Sequence, residues 1–260
     1  MAPSPNEASI SRRRSVEAVN ALAAALIVFL AVGAARAQSL RVLPVNIQMP
    51  PGQMATILTV MNEGSTVTAI QIRAYAWNQP DGKNQPDGND QLTTTDEVLA
   101  SPPIASIAPG ATQVVRLVLR RAPQGREATY RILLDQIPAA AVPGMVQIVL
   151  RLSIPIFAQP PTRAFPHVQF HIERDAGRLY LVGINDGLRH EAIRDIELST
   201  SDGRKLKTEP GASPYILAGA TRRWPIAAQG SLPLTNETLG LKAHADAVAI
   251  EQQVRVGEIP

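Results

Sequence analysis

The 260 residues contain no cysteine, which excludes a disulfide scaffold, thiolate catalysis and cysteine-ligated metals and leaves core burial to hold the chain together. Most of the formal charge of +3 belongs to the first 37 residues, where Arg12, Arg13, Arg14 and Arg36 stand against Glu7 and Glu17. The remaining 223 residues carry 21 basic and 20 acidic side chains with no Lys/Arg cluster interleaved with aromatics, so a nucleic-acid footprint is absent, while the length suffices for one or two domains.

The chain opens with the grammar of an export signal over residues 1–37. Three arginines form a positive n-region, Ala21 to Val32 is an almost unbroken apolar run, and Ala35-Arg36-Ala37 has the small-x-small form of a cleavage site. The spacing predicts a mature chain beginning at Gln38. The apolar run is short of the ~20 residues a membrane span requires, and no later run reaches its length, so a soluble exported protein is expected, without membrane insertion after cleavage. An uncleaved anchor is the alternative, and general secretion and twin-arginine export both remain open.

From Gln38 onward short alternating runs dominate. Thr56 to Met61 precedes Asn62-Glu63-Gly64, Thr68 to Trp77 leads into a loop, Gln113 to Leu119 follows Ala108-Pro109-Gly110, and Tyr130 to Ile137 stops at Pro138. Runs of this length with no 3.6-residue period predict antiparallel strands, and their spacing predicts an immunoglobulin-like β-sandwich over 38–158. The repeat Asn78-Gln79-Pro80-Asp81-Gly82, echoed at Asn84 to Gly88, reads as tandem Pro-Asp-Gly turns; its spacing does not match a calcium loop.

The most informative run is Val146 to Phe157. Val146, Ile148, Leu150, Leu152, Ile154 and Ile156 recur at every second position, so a strand built from them presents one apolar row. Such a row either completes its own domain's core or pairs with a neighbour that lacks a strand. A hairpin turning between Pro138 and Val146 would place Arg131 almost opposite Leu152 and bring Arg131 and Arg151 near each other.

Pro160 and Pro161 then interrupt the ladder pattern and predict a linker at 159–163. Beyond it, Val168 to Ile172, Leu179 to Ile184, Ile193 to Leu198 and Tyr215 to Leu217, with turns at Asn185-Asp186-Gly187 and Asp202-Gly203, predict a second, smaller β-sandwich over 164–260. Leu234 to Ile250 is Ala-rich and reads poorly as strand. The fold class is therefore all-β, with two immunoglobulin-like sandwiches in tandem after a signal peptide.

Catalytic signatures are missing: no nucleophile elbow, phosphate loop or paired-histidine helix occurs. His167 and His171 fall on the polar face of one strand about 13 Å apart, and His190 and His244 read as surface residues. No enzyme, metal or cofactor is expected. Trp77 and Trp224 lie at strand ends and read as core.

Several short motifs, in order, resemble the PapD-like periplasmic pilus chaperones: Ser101-Pro102-Pro103-Ile104, Ala108-Pro109-Gly110, Val115-Arg116-Leu117, Arg126-Glu127, Tyr130-Arg131, Ile137-Pro138 and the Val146 to Phe157 run. Ala76-Trp77, Arg151-x-Ser153-x-Pro155-x-Phe157, Asn185-x-Gly187, Tyr215-x-Leu217-x-Gly219 and Arg222-Arg223-Trp224 are most similar to the archaic, spore-coat-U-associated branch. The resemblance implies a periplasmic chaperone that lends a strand to spore-coat-U-like pilin subunits and delivers them to an outer-membrane usher for pilus assembly. Val146, Ile148, Leu150, Leu152 and Ile154 would be the pilin-binding row. A self-dimer covering the edge when no pilin is bound is a further partner to consider.

Two departures from the family pattern stand out. The conventional anchor for the pilin's terminal carboxylate, an Arg on the first strand and a Lys late in the donor strand, matches Asn46 and Pro155 here, so Arg131 and Arg151, with Arg116 from the opposite sheet, become the candidate anchor. Glu127 matches the acidic half of an interdomain bridge whose basic place is taken by Gln159. The competing class is a structural or adhesive two-domain module without chaperone activity.

Overall fold

The computed structural model describes residues 40–80, 90–138, 140, 144, 148–209, 213–227 and 233–258. The predicted signal segment and Val146 lie outside the described residues. Two separate cores form along the chain, one from residues 42–158 and one that draws mainly on residues 172–256.

The first domain runs through β1 (Leu40–Leu43), β2 (Ile47–Met49), β3 (Ala55–Asn62), β4 (Thr68–Asn78), β5 (Gln91–Thr94), β6 (Val98–Ser101), β7 (Ile104–Ile107), β8 (Thr112–Leu119), β9 (Ala128–Ile137) and β10 (Arg151–Ala158). One sheet has the order β1-β3-β8-β6; the other is β2-β10-β9-β4-β5, with β7 also on β4. Side-chain alternation explains the sandwich. Leu58, Val60, Val115 and Leu117 of one sheet face Ile70, Ile72, Ile132 and Leu134 of the other, while Arg116, Arg131 and Asp135 occupy the intervening outward positions. Asn62 closes the Asn62–Gly64 turn, its Nδ2 donating to the carbonyls of Thr66 and Ile107 at 2.7 and 2.9 Å.

The second domain comprises β11 (Val168–Asp175), β12 (Arg178–Asn185), β13 (Glu191–Ala192), β14 (Arg194–Ser199), β15 (Lys205–Lys207), β16 (Tyr215–Ile216), β17 (Thr221–Pro225), β18 (Thr238–His244) and β19 (Ala249–Glu258). Its large sheet has the order β15-β14-β18-β19-β11-β12-β17, and β13 pairs with β16. The Ala-rich tail that reads poorly as strand forms all of β18 and the start of β19. Leu239, Leu241 and Ala243 alternate into the core there, and Gly240 between them is tolerated because antiparallel pairing over Thr238–His244 supplies the backbone partners.

Candidate functional site

The alternating row of β10 changes environment along its length. Ile156 and Ile154 are buried in the first core, the latter 3% exposed; Leu152 is half-buried against the same core; Leu150 is 37% exposed and Ile148 88%. The strand itself begins only at Arg151, where the Gln136 amide donates to the Leu150 carbonyl at 2.9 Å. Among the described residues the strand covers Arg151–Ala158, the expected start at Val146 lying outside them, and Ile154, expected in the donor row, is a core residue of its own domain. Its neighbours across the ladder, Ile132 and the opposite sheet, enclose it completely.

On its other side β10 is only partly paired. β2 runs parallel to it from Ile156 to Ala158, so among the described residues Arg151 to Pro155 have no strand neighbour on that edge. An unpaired edge carrying an uncovered apolar row is a template for adding a strand from another chain. Arg151 marks the edge with a charge. It is exposed and its Nε donates to Asp135, which also accepts from Arg73.

The register separates the three candidate anchor arginines. Arg131 lies opposite Pro155, not Leu152, and Arg151 lies opposite Asp135, four residues further along β9. Arg116 is on β8 in the other sheet, opposite Ile57 and Ser101. No common anion site is formed by the three, contrary to the expectation of proximity. Arg131 instead lies over Trp77, its Cζ 3.7 Å from the ring centroid, with Asp90 at 3.3 Å. Its side chain is 12% exposed, and burial lowers its pKa while Asp90 opposes that shift.

Below Arg131 the two domains meet in an aromatic joint. Trp77, Phe157, Tyr215 and His190 contact one another, with the Phe157 and His190 rings stacked at 3.5 Å and 15°. Gln79 staples the joint by donating to the Tyr215 carbonyl at 3.0 Å and accepting from the Leu217 amide at 2.9 Å. Asn46, at the conventional anchor position, donates to the Tyr215 hydroxyl at 3.0 Å. It is therefore part of the joint.

The acidic residue Glu127 finds a partner that sequence reasoning missed. His190 Nδ1 lies 2.6 Å from Glu127 Oε2, the His190 amide donates to the same oxygen at 2.9 Å, and both side chains are almost wholly buried. The expectation that His190 is a surface residue is corrected, because its ring fills the gap between Phe157 and Glu127. Its position just after the Asn185–Gly187 turn disguised this role. The turn brings it back across the joint, with Glu127's amide donating to the Leu188 carbonyl at 2.9 Å. His167 pairs with Asp186 and His171 with Glu173, and no cluster able to hold a metal occurs among the described residues.

Comparison with known proteins places this geometry. Residues 39–163 match the family model described as pili and flagellar-assembly chaperone, PapD N-terminal domain. No curated protein matches the sequence. Among solved structures, a chain of the CsuC–CsuE chaperone–tip adhesion subunit pre-assembly complex, from archaic chaperone-usher Csu pili of Acinetobacter baumannii, matches with a TM-score of 0.60 at 19% identity, covering 85% of this chain and 100% of that one. The Escherichia coli chaperone DraB gives 0.55 at 18% identity, over 84% and 97% of the two chains. A chain of the Salmonella enterica SafA pilin–SafB chaperone complex gives 0.55 at 12%, over 85% and 97%. At such identities the likenesses establish the two-domain fold.

Proposed function

Because this chain belongs to the PapD-like pilus chaperones, residues 39–163 forming the family's N-terminal domain, we propose that it binds pilin subunits by lending them the start of β10. The observation that carries the reading is the exposure gradient along one side-chain row, from a buried Ile156 to Ile148 at 88%. The row that builds the first core becomes progressively less covered toward Ile148, with Leu152 half-buried, Leu150 37% exposed and Ile148 almost bare among the described residues. A subunit whose sandwich lacks a strand would extend that core, pairing its bare edge with Arg151 to Pro155 and covering Ile148, Leu150 and Leu152. Covering Ile148 is worth roughly 1.5–3 kcal/mol and covering the already partly buried Leu150 and Leu152 a fraction of that each, enough to hold a subunit yet replaceable by another strand of similar pattern.

Arg131 is the anchor we assign for the subunit's terminal carboxylate. It is the arginine positioned at the joint, preorganised by Trp77, with a single carboxylate beside it in Asp90. Arg151, held by Asp135, and Arg116, in the other sheet, are not required. Export through a cleaved 1–37 segment to the periplasm, delivery to an outer-membrane usher, and self-dimerisation through the uncovered edge complete the proposal. Pull-down of co-expressed candidate pilins tests it: the wild-type chain should retain a subunit and Ile148→Asp should not. Equal recovery by both, or none by either across the candidate pilins, favours a passive two-domain module.

A further inference from the structure

Around the joint two guanidiniums share one carboxylate. Arg131 lies over Trp77 with its Nη2 3.3 Å from Asp90 Oδ2. Arg222, on β17, is buried; its Nη1 donates to the Tyr215 carbonyl at 3.1 Å, and its Nε has no hydrogen-bond partner among the described residues. Burial lowers the pKa of both arginines, and Asp90 is the carboxylate that opposes the shift in each. The fold itself therefore shows what chemistry this place accepts: a single carboxylate.

Asp90 reaches the site from its rim. It directly precedes β5, next to the Asn78–Gln91 pair of the β4–β5 ladder, and so stands beside Gln79, whose Nε2 donates to Asp90 Oδ1 at 2.9 Å. Its hold on Arg131 is loose by comparison. One N–H reaches it at 3.3 Å, whereas a guanidinium can grip a carboxylate through two parallel bonds of about 2.8 Å. The other N–H groups of Arg131 make no hydrogen bond to any described residue. Asp90 also keeps 28% of its side chain in water, so on leaving Arg131 it turns to solvent and not into the interior.

We propose that Asp90 is an internal occupant of the carboxylate site: it fills the place at Arg131 in the free chain, and a captured subunit's terminal carboxylate displaces it. This inference rests on the assignment of Arg131 as the anchor. The exchange conserves charge, because two guanidiniums face one carboxylate before and after, so capture adds no unmatched charge to the joint. A chain end without a carboxylate has nothing to offer in place of Asp90 and is held less well, which makes Asp90 a determinant of specificity as well as of affinity. The same occupancy weakens the grip on every carboxylate, since binding requires the fraction of molecules in which Arg131 is vacated.

The test uses the full mature chain and acetate as the minimal carboxylate, titrated against chloride at constant ionic strength while NMR follows the Arg131 Nε–H and the Trp77 indole N–H. Asp90→Asn removes the competing charge with little change of shape and should lower the acetate midpoint about fivefold or more relative to wild type. Asp90→Ala, which leaves the space open, should do the same, and D90N/R131A should lose the Trp77 response. An unchanged midpoint in both Asp90 variants would overturn the proposal. So would a raised one, which would make Asp90 the group that orients Arg131, and so would an absent acetate response or one that survives D90N/R131A. Pilin capture reads the anchor separately. Lost capture in Arg131→Ala with an unchanged midpoint in Asp90→Asn would sink the role of Asp90 alone, and a lowered midpoint with full capture by Arg131→Ala would sink the anchor and with it the subunit as the displacing group.

Discussion

At the scale of single residues, the Glu127–His190 contact decides how firmly the two domains are joined. It is buried, crosses the joint and stacks on Phe157, the penultimate residue of β10. Glu127→Ala would leave the His190 ring N–H and backbone N–H without an acceptor, at about 1–3 kcal/mol each, whereas Glu127→Gln keeps one acceptor and should cost less. Calorimetry should show a lower melting temperature for Glu127→Ala than for Glu127→Gln; equal melting temperatures would remove the contact from the joint's energetics. Arg131→Ala should weaken pilin capture at least tenfold while Arg151→Ala changes it little, since of the two Arg131 is the one held at the joint. Asp135 supplies a pH handle. Burial pushes its pKa up, but hydrogen bonds from Arg151 and Arg73 outweigh that and hold it below its usual 3.8. A carboxyl with a depressed folded-state pKa stabilises the fold above the unfolded value and loses that contribution as pH falls below about 4. Urea midpoints between pH 6 and 2.5 should therefore fall less steeply in Asp135→Asn; an unchanged slope would show that the two arginines contribute nothing through it. Residues of this kind are poorly visible in sequence. Neither the contact of Glu127 with His190, 63 apart, nor the register that separates Arg131 from Arg151 follows from local pattern, because the first depends on how the two domains dock and the second on strand pairing.

The element that matters most is β10, because one row of side chains serves two purposes along it. Ile154→Asp places a carboxylate inside the first core and should unfold the domain, whereas Ile148→Asp changes a side chain already in water and should leave circular dichroism and melting unaltered while abolishing capture. If Ile148→Asp also unfolded the protein, the row would belong wholly to the domain's own core. Here the period-2 pattern made the strand legible over Arg151 to Phe157, while periodicity reports which face a side chain would occupy and is silent on whether a partner strand is present. The long strands β3, β4, β8, β9, β11 and β12 were legible for the same reason, each being a run of apolar alternation bounded by turn residues. β5, β13 and β15 were not. They span two to four residues, too few for alternation to register, and exist because a neighbouring strand offers its edge.

For the molecule as a whole, the joint of Trp77, Gln79, Phe157, His190 and Tyr215 packs the second domain beside Arg131, while the edge of β10 from Arg151 to Pro155 lies at the far end of β9. Absence of cysteine, an all-β pattern and a proline-interrupted middle made this organisation readable before any coordinates, since each is a property of composition or punctuation; the joint was not, because it is built from side chains distant in sequence. Export is a separate claim at this scale, and N-terminal sequencing of protein released by osmotic shock should begin at Gln38; an intact Met1 form from the cytoplasm would contradict it. The central claim is that β10 lends its first half to another protein. Amide hydrogen exchange of the full mature chain, alone and co-purified with a captured pilin, tests it most directly. The amides of Arg151 and Ser153, which face the unpaired edge, and that of exposed Ile148 should exchange rapidly in the free chain and become strongly protected in the complex, whereas Leu152, paired with Leu134 of β9, and Ile156 to Ala158 should be protected in both. A stable complex in which Ile148, Arg151 and Ser153 exchange as fast as in the free protein would contradict it.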